Sequence, residues 1–178
     1  MTMTLFNNKY RVESAKLKGW DYSDTSIYYV TICTENMTKF FGKISNGRID
    51  LTSEGKIVKE EWMKTAEIRK NALLDEFIVM PNHLHGIIAL TKSDEKLLSE
   101  TSQRDVFTGS RLQPDTLSSI INQFKGKCTK RIREFNKEFK WHSRFHDRII
   151  RSERELDNIR AYIHYNPQKW SKDEFYID

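Results

Sequence analysis

Two histidines one residue apart, in Met80-Pro81-Asn82-His83-Leu84-His85-Gly86-Ile87-Ile88-Ala89-Leu90, are the side chains of this sequence best suited to chemistry. Proline cannot donate to a strand ladder and is confined to strand starts, edges and bulges, so the segment reads as a strand entered through a Pro-Asn turn. Side chains alternate across a strand, which puts His83 and His85 on one face, with Ile87 and Ala89 continuing that face inward. Two imidazoles so placed can hold one metal ion without closing a loop. The spacing alone is weak evidence. Five histidines in 178 residues yield about 0.14 His-x-His pairs by chance, and a structural pair is the plain alternative.

A phenol and an amide come from near the other end. Ser152-Glu153-Arg154-Glu155 forms a capping box, with Ser152 capping and Glu155 reaching back. The helix it opens buries Leu156, Ile159 and Ile163 and stops before Pro167. At about 100° per residue, Tyr162 and Asn166 sit together beside that stripe, one turn apart. His164 lies about 200° around the helix from Tyr162 and falls outside the set. Taken singly, Tyr162 also reads as a packing residue with its hydroxyl at the surface, and Asn166 as a plain C-cap.

The elements that must position these groups are legible from pattern. Ser26–Thr34 is rich in β-branched and aromatic residues and reads as a central strand. Phe40–Ile44 and Arg48–Leu51 flank Asn46-Gly47, the strongest short hairpin signal. Thr52 or Ser53 can cap a helix running to about Arg69, and Leu73–Met80 is a strand that turns at Pro81-Asn82 into the histidine strand. Residues 92–113 are polar and aperiodic, and a loop of that length is expected to be mobile. Pro114 suits the first turn of a helix. Its stripe runs through Leu117, Ile120, Ile121, Phe124, Cys128, Ile132 and Phe135, with Lys125, Lys127, Lys130, Arg133 and Lys137 projecting elsewhere. Ile149-Ile150 reads as a short edge strand.

Length and composition suit one domain over residues 1–178, with a polar N-terminal arm over about 1–25. No run of eighteen apolar residues offers a membrane span and Met1–Tyr10 lacks the apolar core of a signal peptide, so the expected location is the cytoplasm. Cys33 and Cys128 match no zinc or redox spacing and read as reduced core thiols. Net charge is +5, unevenly spread: between Arg111 and Arg151 eleven Lys/Arg face four Asp/Glu, giving +7 there and −2 over the remainder. A field so confined suggests a polyanion such as nucleic acid, the alternative being a solvated helix face. Phe139–Arg148 interleaves aromatics with cations, a mix suited to stacking on unpaired bases, although Trp141 and Phe145 could equally close the core.

Pro81-Asn82-His83-Leu84-His85, together with Ala161-Tyr162-Ile163-His164-Tyr165-Asn166-Pro167-Gln168-Lys169-Trp170, resembles the HUH single-tyrosine transposases, in the branch that includes the REP-associated tyrosine transposases. Leu17–Ser23, Tyr29–Thr34, Leu74–Met80 and Ile149–Arg151 are similar to further segments of that family, in the same order. The resemblance implies an α+β, ferredoxin-like sandwich whose central antiparallel sheet carries the histidines and whose helices pack mainly on one face. It implies His83, His85 and Asn166 as ligands of a divalent metal, Mg2+ or Mn2+, and Tyr162 as nucleophile. Tyr162 would attack single-stranded DNA beside a hairpin, giving a 5′-phosphotyrosine and a free 3′-hydroxyl. Lys125, Lys127, Lys130, Arg131, Arg133, Lys140, Trp141, Arg144 and Arg148 are the candidates for DNA contact, and some members of the family work as homodimers.

The chemistry is coherent. A phenol of pKa about 10 is a poor nucleophile at neutral pH unless a cation stands beside it. Two imidazoles, an amide and substrate oxygens suit a borderline ion, whereas a thiolate zinc cage is not available, since only two cysteines exist and neither lies near the histidines in sequence. The rival is a ferredoxin-like nucleic-acid-binding module without chemistry, its histidines being core residues, and a metal phosphodiesterase using water is a third reading.

Overall fold

Thr25–Cys33 (β1) is paired along both edges and covered by helices on both faces, and its residues are accordingly mostly apolar or aromatic. The structure, a computed structural model, describes residues 25–91 and 116–176. The arm up to residue 24, the segment Leu17–Ser23, the loop expected over 92–113 and Pro114 lie outside the described residues. After β1 come β2 (Gly42–Ser45) and β3 (Arg48–Leu51), paired antiparallel as the Asn46-Gly47 signal predicts. Asn46 (φ 51°) and Gly47 (φ 70°) are both left-handed, the requirement of a two-residue type I′ turn. Helix α1 (Ser53–Ile68) starts where the Thr52 hydroxyl accepts from the Gly55 amide.

Strand β4 (Ala72–Val79) and strand β5 (His83–Thr91) form the expected hairpin through Pro81-Asn82. Helix α2 (Leu117–Ile132), strand β6 (His146–Ile150) and helix α3 (Glu153–Tyr165) follow, and Asn166–Lys172 then continues as a 3-10 turn. The sheet order is β4-β5-β1-β6, antiparallel throughout, with β6 at an edge. Two β-α-β halves, each crossing the same face, generate that order, which is the ferredoxin-like arrangement. The β2–β3 hairpin is inserted in the first crossover.

The two faces are occupied differently. On one, Val30, Ile32, Leu84 and Ile88 pack under α1 and α2 with Val58, Trp62, Ile120, Ile121, Phe124 and Cys128. On the other, Ile27, Ile87, Ala89 and Ile150 pack under α3 with Leu156, Ile159 and Ile163. Thus two helices share one face and the third lies alone opposite them. Gly86 matters to this stacking: a Cβ there would stand 2.6 Å from Trp62 Cζ2, so the glycine lets α1 seat its indole against the histidine strand. Cys33 and Cys128 are buried and unpaired. No helix among the described residues is long and apolar enough to cross a membrane.

Two expectations about α2 are corrected. The helix ends at Ile132, the chain turns, and Phe135 swings out to 55% exposure instead of extending the apolar stripe. Lys125 does not project with the other cations. Its ammonium is 2.8 Å from the His142 carbonyl, 3.1 Å from that of Arg144 and 3.4 Å from that of Ser143. It is buried because it satisfies three carbonyls of the loop entering β6.

Candidate active site

Strand alternation sends His83 and His85 toward the α3 face, as the sequence pattern requires, and both are fully buried. Their ring centroids are 4.3 Å apart. Each ring is held by its Nδ1. That of His83 is 2.8 Å from Asn82 Oδ1, and that of His85 is 2.8 Å from the Tyr29 hydroxyl and 2.9 Å from Thr31 Oγ1. Tyr29 and Thr31 alternate on β1 toward the same face, and Thr31 is the direct cross-strand partner of His85. This is how ligating histidines are oriented: one nitrogen is tied to the protein, and the other points at the site.

Helix α3 brings Tyr162 over the same face. Its hydroxyl lies 3.5 Å from His85 Nε2 and 3.0 Å from Asp173 Oδ2, and the ring is 40% exposed, so a substrate can approach it. Asn166, one turn on, gives its Nδ2 to the same Asp173 oxygen at 2.6 Å. His83, His85 and Asp173 offer ligand atoms that all lie within 4.8 Å of one another. The Phe175 ring lies tilted with its centroid 4.8 Å from that of His83 and edge-on 5.8 Å from that of His85, and Trp170 lies 6.0 Å from His83, so aromatic rings flank the histidines.

Three buried side-chain polar atoms lack a hydrogen-bond partner among the described residues, and two are here: His83 Nε2 and Asn166 Oδ1. Buried polar atoms are rarely left unpaired. An unpaired imidazole nitrogen and an unpaired amide oxygen, beside a second imidazole and a carboxylate, form a donor set whose chemistry fits a divalent cation. Burial holds both imidazoles well below the ordinary histidine pKa, and the His83 ring further lowers that of His85, so both stay neutral and able to ligate. Burial chiefly, then the neighbouring Tyr29 and Asp173, pushes the Tyr162 phenol far above its ordinary value. In the absence of a cation this tyrosine is a poor nucleophile.

Of the residues singled out from sequence, His83, His85, Tyr162 and Asn166 come together. His164 is exposed against Tyr165, as its helix angle implies. The DNA-contact candidates scatter. Arg148 pairs with Glu155 and sits opposite Tyr29 in register, on the site's face of the sheet. Arg144 is exposed in the loop before β6, and Lys140 is exposed with Glu35 3.5 Å away. Lys127, Lys130 and Arg131 ride on α2 and Arg133 caps it, across the sheet from Tyr162, and Arg131 is engaged by Glu60 and Glu61. Lys125 is spent on carbonyls, as described. Trp141 is corrected as well: its ring packs against Phe41, Phe124 and Phe139 and its indole N–H donates to the Lys125 carbonyl, so it closes the core instead of offering a stacking face.

Asp173, Tyr29, Thr31 and Phe175 escaped the sequence reading. Asp173 and Phe175 are brought back by the 3-10 turn, which no periodicity announces. Tyr29 and Thr31 share a face by alternation, but only the pairing of β1 with β5 brings that face to the histidines.

No family model matches the chain. An uncharacterized protein of Haemophilus influenzae is 32% identical over 167 residues, spanning 93% of this chain and 93% of its own length, which puts the two in one sequence family. Another Haemophilus influenzae protein, described as a candidate REP-associated tyrosine transposase, is 22% identical over 156 residues, 84% of this chain and 74% of its own. A solved structure of a REP-associated tyrosine transposase bound to a REP hairpin shares the fold, with a TM-score of 0.56 and 19% identity over 94% of this chain and 76% of that one.

Proposed function

This chain belongs to the HUH single-tyrosine transposase family, and from that premise we propose that it is a metal-dependent enzyme that cuts and rejoins hairpin-bearing single-stranded DNA through a 5′-phosphotyrosine. One observation carries the reading: the Tyr162 hydroxyl and His85 Nε2 stand 3.5 Å apart within a single chain, beside two buried polar atoms, His83 Nε2 and Asn166 Oδ1, that no described residue satisfies. A non-catalytic module predicts histidines satisfied on both nitrogens, and the orphaned His83 Nε2 favours the enzyme.

His83, His85 and Asp173 would hold Mg2+ or Mn2+, with Asn166 Oδ1 as a further oxygen. The cation, when bound, supplies the positive charge that polarises a phosphodiester and favours a phenolate. The chain's own residues do the rest. Tyr162 Oη forms the new bond to phosphorus, the bond from phosphorus to the 3′ oxygen breaks with its electron pair, and that oxygen ends as a 3′-hydroxyl. Asp173 Oδ2, already accepting from the phenol, is the group positioned to take its proton. The Asn166 amide holds the same oxygen from its other side. The phosphotyrosine conserves the ester, so attack by a 3′-hydroxyl rejoins strands without ATP.

The relative bound to a REP hairpin supports a DNA hairpin as partner. Arg148, on the site's face of the sheet, is the candidate placed to hold a hairpin backbone beside Tyr162. Arg144 and Lys140 are exposed elsewhere, and Lys127, Lys130, Arg131 and Arg133 lie across the sheet and would reach only DNA that wraps beyond the site. The decisive experiment incubates the protein with a single-stranded hairpin oligonucleotide and Mn2+ and looks for a denaturation-resistant protein–DNA adduct. The adduct is expected with the native chain and absent with EDTA or in Tyr162→Phe. An adduct that survives in Tyr162→Phe overturns the assignment of the nucleophile.

A further inference from the structure

Asn82 lies in the turn before the histidine strand and is completely buried. Its own backbone carbonyl is occupied by the amide and hydroxyl of Thr34, so the turn itself does not require the side chain. The side chain is bound at both ends. Nδ2 is 2.8 Å from the Phe175 carbonyl, and Oδ1 is 2.8 Å from His83 Nδ1. These two contacts constrain each other. A carbonyl oxygen only accepts, so the group facing Phe175 must be the amide nitrogen, and the oxygen is thereby turned toward His83. That oxygen also only accepts, so the proton of a neutral His83 must sit on Nδ1. The lone pair is then left on Nε2, the atom that is buried and unpartnered beside His85 and Asp173.

We propose that Asn82 is a positioning residue that selects the metal-ready tautomer of His83, its own amide being set by the main-chain carbonyl of Phe175. A free imidazole distributes its proton between the two nitrogens, and the wrong tautomer would aim an N–H at the cation. The segment after the 3-10 turn therefore acts on the site twice, through the Asp173 carboxylate and, one relay further back, through a carbonyl 93 residues from the side chain it orients. This inference rests on the metal-site reading above, but its first half does not need a metal.

The test separates the two. In the metal-free full-length protein, 15N-detected imidazole correlations report which nitrogen of each histidine carries hydrogen. His83 is expected as the Nδ1–H tautomer, and observation of the Nε2–H form overturns the proposal at once, whatever any variant does. In Asn82→Leu the acceptor is gone, and His83 should become a mixture or change tautomer, with Mn2+ affinity falling about 10- to 100-fold. Asn82→Asp keeps an oxygen opposite Nδ1 but loses the amide that donates to the Phe175 carbonyl, so it should keep the Nδ1–H tautomer while folding less stably. If Asn82→Leu keeps the native tautomer and native affinity, Asn82 only fills space. If the native protein shows the Nδ1–H form yet binds no Mn2+, the tautomer control stands and the metal reading falls.

Discussion

Arg160 clamps the helix that carries Tyr162 to strand β4 through Asp75. The guanidinium contacts the carboxylate at 3.1 Å and 2.5 Å, with the Asp75 side chain wholly buried and that of Arg160 only 12% exposed. A register irregularity between Leu74 and Phe77 lies at the same point of β4, and such bulges re-aim a side chain. The ion pair faces α3, and the tyrosine sits two residues from its arginine.

Removing one partner would strand the other charge in the interior. Arg160→Ala is expected to cost about 3–5 kcal/mol, read as a fall in the urea midpoint, whereas Arg160→Met paired with Asp75→Leu should recover much of it. If the single variant is as stable as the native chain, the clamp contributes nothing.

Asp173 has two opposed effects, and Asp173→Asn separates them. Its charge disfavours phenolate, so the variant should bring the Tyr162 pKa down in the metal-free protein, followed by NMR of ring-labelled tyrosine. The same loss should weaken Mn2+ binding by about tenfold or more and reduce adduct formation. An unchanged Mn2+ affinity would remove Asp173 from the ligand set.

Stability should fall on the acid side. The folded state depresses both His83 and His85. Above about pH 6.5 both rings are neutral, folded or unfolded. Below it the unfolded chain takes up protons that the folded chain refuses until its own lower pKa values are reached, so the difference is lost as pH falls through that window. Without metal, the thermal midpoint should drop from pH 6.5 downward, and a protein with both histidines changed to Gln should show a flatter profile.

Gly86→Ala should overpack the sheet, because its methyl meets Trp62 Cζ2 at 2.6 Å. The expected cost is about 1–3 kcal/mol, and calorimetry on the double variant with Trp62→Phe should show less than the sum of the single costs. Strict additivity would mean that the contact does not constrain the strand.

Much of the scaffold was legible because its determinants are local. The Asn46-Gly47 turn, the Thr52 cap and the alternation of β5 each depend on neighbours in sequence, and each element lies where those neighbours put it. Glu155 shows the limit of local reading: it reaches back as expected, but its carboxylate accepts from the Arg151 amide, one residue before the cap, and from Arg148.

The sequence by itself determined that His83 and His85 share a face and that Tyr162 and Asn166 share another, since strand and helix periods are properties of the backbone. Which face meets which is not. Only the stacking of α3 on the sheet brought the phenol to the imidazoles, and only the return of the chain after Lys172 supplied Asp173 and the carbonyl that orients Asn82. The same long-range packing buried Lys125 and set the half-buried Trp141 ring against core aromatics. Periodicity states where a side chain points relative to its own element, whereas the partner it finds depends on sheet order and layer contacts among residues far apart in the chain.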